Sequence, residues 1–142
     1  MKDLTYQPSI EDYERAKEFA IESVKNHRSY GRNSDEIISD IIVGKLGEMA
    51  YKSWMGSEVN EIDLTTYRHD DGWDFVKSDG TRVQVKVIGK DVNWVSFTNW
   101  YWEELVVIRH HQNYFQLEHI KSKSQIHEIA KKSKFKGFYY KA

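Results

Sequence analysis

The chain contains no cysteine, which excludes a disulfide framework, a zinc site with thiolate ligands and a thiol nucleophile. Any metal must therefore be held by oxygen or imidazole. A single proline leaves few enforced breaks, and no run approaches the ~20 apolar residues that a membrane helix requires. The opening "MKDLTYQPSI" lacks the apolar stretch of a secretion signal, so the expected location is cytoplasmic. No Gly-x-Ser-x-Gly elbow is present, and the glycines of "GKLGE" are not followed by the Lys-Ser/Thr of a phosphate-binding loop.

What remains is a 142-residue chain, 39% hydrophobic and 30% charged, which fits one domain spanning residues 1–142. Its formal charge of −1 hides an asymmetry. Residues 1–75 carry nine Lys/Arg against sixteen Asp/Glu, for −7, and residues 76–142 carry twelve against six, for +6. A basic half suits nucleic-acid phosphates, and an acidic half can supply metal ligands. Scattered, solvated surface charge accounts for the same count.

Ser9 with Asp12 three residues on forms a capping box for a helix over about 10–27, with Tyr13, Ala16, Ala20 and Val24 at helical spacing. A loop with Arg28 and Arg32 follows, and Ser34 caps a second helix to about Met55. Its stripe of Ile38, Ile41, Ile42, Leu46, Met49, Ala50 and Trp54 packs on a sheet. A short strand is expected around Val59 to Leu64. Further strands are expected at "VNWVSFT", "ELVVIRH" and "NYFQLEHI", the last two joined by a turn near His111 to Asn113. Ser122 or Ser124 caps a final helix to about Ser133, and "FKGFYYKA" makes an edge strand. The resulting class is α/β in the broad sense, of α+β type, with a central sheet of about five strands.

Residues 71–87, "DGWDFVKSDGTRVQVKV", read as a β-hairpin. A three-residue loop Ser78-Asp79-Gly80 pairs Lys77 with Thr81 and sets Asp74 opposite Gln84, with Lys86 two residues further along the same face. Trp73, Phe75, Val83, Val85 and Val87 then face the other way. A two-residue turn would shift the register by one and bury Asp74 opposite Val85. Upstream, Gly44 and Gly47 each cost about 1 kcal/mol in a helix interior. Both lie beside Glu48 on one side of the second helix, where glycines permit close approach to a neighbouring backbone. Tight packing with a solvated Glu48, and an ordinary amphipathic strand with Lys86 paired to Asp74, are the alternatives.

The helical "GKLGE", then "GWDF", a short turn and "VQVKV" resemble the PD-(D/E)XK nuclease superfamily over about residues 38–90. The resemblance implies a restriction-endonuclease-like core, a mixed sheet flanked by helices, with a helical glutamate, an aspartate on one strand and a (D/E)XK triplet on the next. Carried onto this chain, those positions are Glu48, Asp74, Gln84 and Lys86. The superfamily usually has Asp or Glu where this chain has Gln84. The Mrr-type restriction endonucleases, which look similar here, also use a QXK triplet.

This implies phosphodiester hydrolysis assisted by Mg²⁺, with Mn²⁺ able to substitute. A hard cation takes oxygen ligands, and Glu48, Asp74, the Gln84 amide and the Val85 carbonyl form a fitting partial set. Lys86 would orient or deprotonate water and offset charge on the phosphate. The expected function is a DNA endonuclease, and cutting both strands favours a homodimer. A non-catalytic nucleic-acid-binding or protein-interaction module on the same fold is the alternative, and a ribonuclease the third. Basic residues Lys131, Lys132 and Lys134 and the aromatics Trp100 and Trp102 are candidate nucleic-acid contacts, with Trp94 assigned instead to the core. His110, His111 and His119 are read as surface or loop residues rather than a metal site, because adjacent strand residues face opposite ways.

Overall fold

The computed structural model describes residues 4–25, 34–65 and 72–142. Arg28, Arg32, Asp70 and Asp71 lie outside them. Strand β1 (Thr5–Tyr6) leads into α1 (Ile10–Val24). Asp12 N–H donates to Ser9 Oγ at 3.0 Å and Ser9 N–H donates back to Asp12 Oδ2 at 3.1 Å, the expected capping box. Tyr6 also donates its hydroxyl to that carboxylate, tying β1 to the helix start. Ala16, Phe19, Ala20 and Ser23 form the buried stripe.

Helix α2 (Ser34–Met55) covers the expected range and buries Ile42, Leu46, Met49 and Ala50 together with Gly47 and Tyr51. A short 3-10 turn (Gly56–Glu58) follows. The strand expected around Val59 to Leu64 reduces to one isolated bridge, Val59 to Lys77. There the Asn60 side-chain oxygen accepts from Val76 N–H at 2.7 Å, so an amide replaces the ladder that a strand would extend.

Strands β2 (Phe75–Val76) and β3 (Arg82–Gly89) pair antiparallel, Phe75 with Val83 and Val76 with Arg82. This is the register of the three-residue loop. Lys77 N–H donates to Thr81 O at 2.9 Å, and Gly80 takes the left-handed conformation at φ 90°. Strands β4 (Trp94–Phe97), β5 (Glu104–His110) and β6 (Phe115–Ser122) come next. A short helix α3 (Lys123–His127), capped by Ser122 and Gln125, precedes β7 (Lys131–Lys132) and β8 (Phe138–Lys141).

The fold is α+β, built on a mixed five-stranded sheet of order β1-β6-β5-β3-β2, in which only β3 and β5 run parallel. Strand β4 does not join it. It pairs instead with β8 in a three-stranded sheet of order β4-β8-β7. Two expectations change with it. Residues 131–132 are strand rather than helix, and the C-terminal strand is central to its sheet rather than an edge. A parallel neighbour needs a long crossover, and here the crossover contains a strand that leaves for another sheet.

Two apolar cores therefore flank the five-stranded sheet. One gathers α1, α2, Phe75, Val83, Val85, Val106 and Ile108. The other gathers Ile88, Leu105, Val107, Trp102, Ile126, Val95, Phe97 and Tyr140. Trp73 packs in the second core, not beside Phe75, because the chain bends at residue 74 and the strand alternation stops there. Among the described residues no helix is long and apolar enough to cross a membrane.

The two helical glycines differ. A Cβ on Gly47 would lie 2.2 Å from Val87 Cγ2, whereas one on Gly44 would meet nothing within 4 Å. Gly47→Ala should therefore destabilise the fold, because overpacking costs about 1–3 kcal/mol against ~1 kcal/mol of recovered helix propensity. Gly44→Ala should stabilise it by about 0.5–1 kcal/mol. Urea denaturation of both variants checks the pair, and equal shifts would contradict the close approach.

Candidate functional site

Strand β2 is two residues long, and its early end creates the feature of most chemical interest. Asp74, one residue before it, donates its backbone N–H to Val83 O at 2.7 Å. Its carboxylate Oδ2 accepts from Val85 N–H at 2.8 Å. The side chain thus lies along the sheet edge and takes the place of the carbonyl that a longer β2 would offer. A strand residue turns its N–H and C=O toward the same neighbour, so the Val85 carbonyl borders the same notch as the Asp74 carboxylate. A carboxylate has about four acceptor sites, so the bond from Val85 N–H does not exhaust the capacity of Asp74 to ligate a cation.

Gln84 and Lys86 flank Val85 on β3. They face away from α2, on the side of Ile88, since their neighbours across the parallel pairing are Leu105 and Val107 of the second core. Gln84 is buried, at 8% exposure, and Lys86 is half-buried. A neutral amide at that depth is far cheaper to bury than a carboxylate.

Glu48 enters from the other layer. Gly47 meets Val87 where α2 crosses β3, and Glu48 is the next residue along the helix. Its side chain is 13% exposed, and Lys45 Nζ lies 3.1 Å from its Oε1. Lys45 also donates to Asp63 O at 2.7 Å and sits 4.2 Å from the centre of the Phe19 ring. Sequence reasoning missed Lys45, although a lysine three residues before the acid on one helix is a legible pairing signal. The structure thus joins Asp74 to Val85 directly and places Gln84 and Lys86 beside them, with Glu48 on the helix side of the same strand.

The donor set is all oxygen, which suits a hard divalent cation. Among the described residues no group of three or more His, Asp or Glu side chains is placed to hold a metal ion. The expected set contains only two carboxylates, Glu48 and Asp74, and relies on an amide and a main-chain carbonyl for the rest.

The histidines do not converge. His110 stacks on Phe115 at 4.5 Å, His111 pairs with Gln116 Oε1 at 3.0 Å, and His119 Nε2 lies 2.7 Å from the Tyr140 hydroxyl. Contrary to a surface reading, His119 is drawn into the space between the two sheets. Lys86, Val107 and His119 form one row across β3, β5 and β6.

Lys131, Lys132 and Lys134 are exposed. Trp102 is 1% exposed and donates its indole N–H to Asn99 O at 2.9 Å, so its ring faces are taken up by the core. Trp100 stacks on His127 at 3.8 Å. Trp94 reverses the expectation that it packs inside, being 51% exposed. Alternation explains the reversal: Val95 and Phe97 take the inward positions of β4, which turns Trp94 outward.

No protein-family model matches this chain, and no curated protein matches it.

Burial lowers the pKa of His119 below its ordinary 6.5; the Lys121 and Arg109 charges act the same way, and Glu118 opposes them. The unfolded chain then binds a proton that the folded one refuses, so this group's contribution to stability is full above about pH 6.5 and is lost on acidification. Stability measured by urea at pH 7.5 and 5.5 should fall less for His119→Gln than for the wild type. An identical loss in the two proteins would show that His119 does not titrate differently on folding.

Proposed function

We propose that this protein is a metal-dependent nuclease with a restriction-endonuclease-like core, acting on DNA as an endonuclease. The observation that carries the reading is the Asp74 carboxylate on Val85 N–H, at the open end of a two-residue strand, with Gln84 and Lys86 on either side of Val85. A helical glutamate on the preceding helix, an acid at the start of one strand and a triplet on the next are the arrangement that the superfamily resemblance implies. The mixed sheet with a parallel β3–β5 pair supports it further.

Asp74 and the Val85 carbonyl would hold the cation at the sheet edge, where the Gln84 amide oxygen would approach from one face of β3 and Glu48 from the other, helix face. A bound Mg²⁺ supplies an acidified water and charge stabilisation at the phosphoryl oxygens. Lys86 sits on the central strand two residues from Gln84, where its ammonium can orient the attacking water and offset charge on the phosphate. The hydrogen bond from Val85 fixes the Asp74 carboxylate before any ligand arrives, so no side-chain rotation is needed on binding. Lys45 pairs with Glu48 at 3.1 Å and orients it on the helix side of β3. Cleavage of both strands of a duplex calls for two active sites, which favours a homodimer.

Gln84 favours a second reading, in which the fold binds nucleic acid or protein without cutting. A buried neutral amide stands where a charged ligand would bind a cation more strongly.

Incubation with supercoiled, linear, single-stranded and branched DNA, and with RNA, tests both. Cleavage of DNA should require Mg²⁺ or Mn²⁺ and stop with chelator. Lys86→Ala should slow single-turnover cleavage by about a hundredfold or more while calorimetric metal binding persists, since its interaction strengthens in the transition state. Asp74→Asn should lose metal affinity and activity together. No cleavage of any substrate would favour the binding module, and wild-type rates in both variants would remove the site.

A further inference from the structure

The three-stranded sheet has an inner and an outer face. Val95, Phe97, Phe138 and Tyr140 turn inward to the second core. By alternation Trp94, Ser96, Tyr139 and Lys141 turn outward, and Lys131 lies opposite Tyr139 on the neighbouring strand. Trp94 is 51% exposed and meets Tyr139 edge-on, with ring centres 5.4 Å apart. At the tip of the β7–β8 hairpin Phe135 is 94% exposed, between Lys134 and Lys136.

That tip is built. Ser133 N–H donates to Gly137 O at 2.9 Å and Phe135 N–H to Ser133 Oγ at 3.2 Å. Gly137 takes φ 95°, and a Cβ there would lie 2.4 Å from Phe97 O, so the turn rests directly on the end of β4. Residues 130–142 contain five lysines and no acidic residue. An aromatic ring displayed at such a tip, amid a single sign of charge, gains nothing for the fold itself.

We propose that this outer face binds single-stranded nucleic acid. Trp94, Tyr139 and Phe135 offer ring faces to unpaired bases, and the lysines of residues 131–141 neutralise the backbone. A paired duplex keeps its bases stacked on one another and presents none to these rings. An anionic membrane fits less well, because Lys131 and Lys141 border the Trp94–Tyr139 pair and Phe135 stands between Lys134 and Lys136 at the hairpin tip, which leaves a small aromatic patch rather than a broad apolar face to insert. This surface uses none of Glu48, Asp74, Gln84 or Lys86, so it stands whether or not the protein cuts.

The test is fluorescence anisotropy with labelled oligothymidine and a labelled duplex, in chelator so that no cleavage intervenes. Single strand should bind at least tenfold more tightly than duplex at equal salt. Phe135→Ala and Trp94→Ala should each weaken single-strand binding by about tenfold, with the salt dependence unchanged. Trp94→Phe, which keeps a ring, should retain most of the affinity. Lys131→Ala with Lys134→Ala should instead lower the salt slope by about 0.7 for each phosphate no longer neutralised. Phe135 is too exposed to affect folding, so unchanged affinity in both Phe135→Ala and Trp94→Ala would overturn the proposal. Equal affinity for duplex, or binding only to phosphatidylserine vesicles, would overturn it as well. Single-strand binding without any nuclease activity would uphold it and remove the catalytic reading alone.

Discussion

Strand β3 is covered on both faces, and most of the architecture follows from that requirement. Val83, Val85 and Val87 lie under α2, which approaches closely enough at Gly47 to exclude a side chain. Gln84, Lys86 and Ile88 lie toward the other core, supplied by β4, β8 and α3. A central strand with polar residues on a covered face needs partners for them, or an opening to solvent. The early end of β2 provides the opening, and Asp74 fills the resulting gap in the ladder with its own carboxylate.

The elements legible in the sequence were those with a complete local signal. Helix α1 announced itself through Ser9 and Asp12, and α2 through a long apolar stripe. The hairpin register could be read because one choice of turn buried a charge and the other did not. Strand β1 is too short for any period, and its partner Phe115 lies far away in sequence. Alternation in "VNWVSF" revealed a strand but not which sheet it would join, since that is decided by pairing with residues some forty positions later. The same limit misplaced the tryptophans. Trp102 reaches the core from an irregular segment held by its own indole hydrogen bond, which no periodicity reports.

The candidate site was legible at Asp74, Gln84 and Lys86 because it resides in a hairpin. Glu48 becomes legible only from where α2 lands on β3, and Lys45 pairs with it from three residues upstream on the same helix. The charge asymmetry was a cruder guide. Both arginines of the basic half are engaged within the fold, Arg82 with Glu103 and Arg109 with Glu118. Such pairs contribute little to stability at a surface, yet they withdraw those cations from any partner. Lysine charge is densest in β7, β8 and the turn between them, at Lys131, Lys132, Lys134, Lys136 and Lys141.

The connection between β3 and β5 passes through β4, whose ladder partner is β8. The middle of the large sheet is thus threaded through a strand whose ladder partners, Phe138 to Lys141, lie far along the sequence. Helices α1 and α2 are neighbours in sequence, whereas Val95 and Phe97 of β4 are covered by Phe138 and Tyr140 from the far end of the second sheet's sequence span. Order in β4 therefore rests on contacts of long sequence separation, the kind of pairing that closes slowly because the intervening chain must be ordered first.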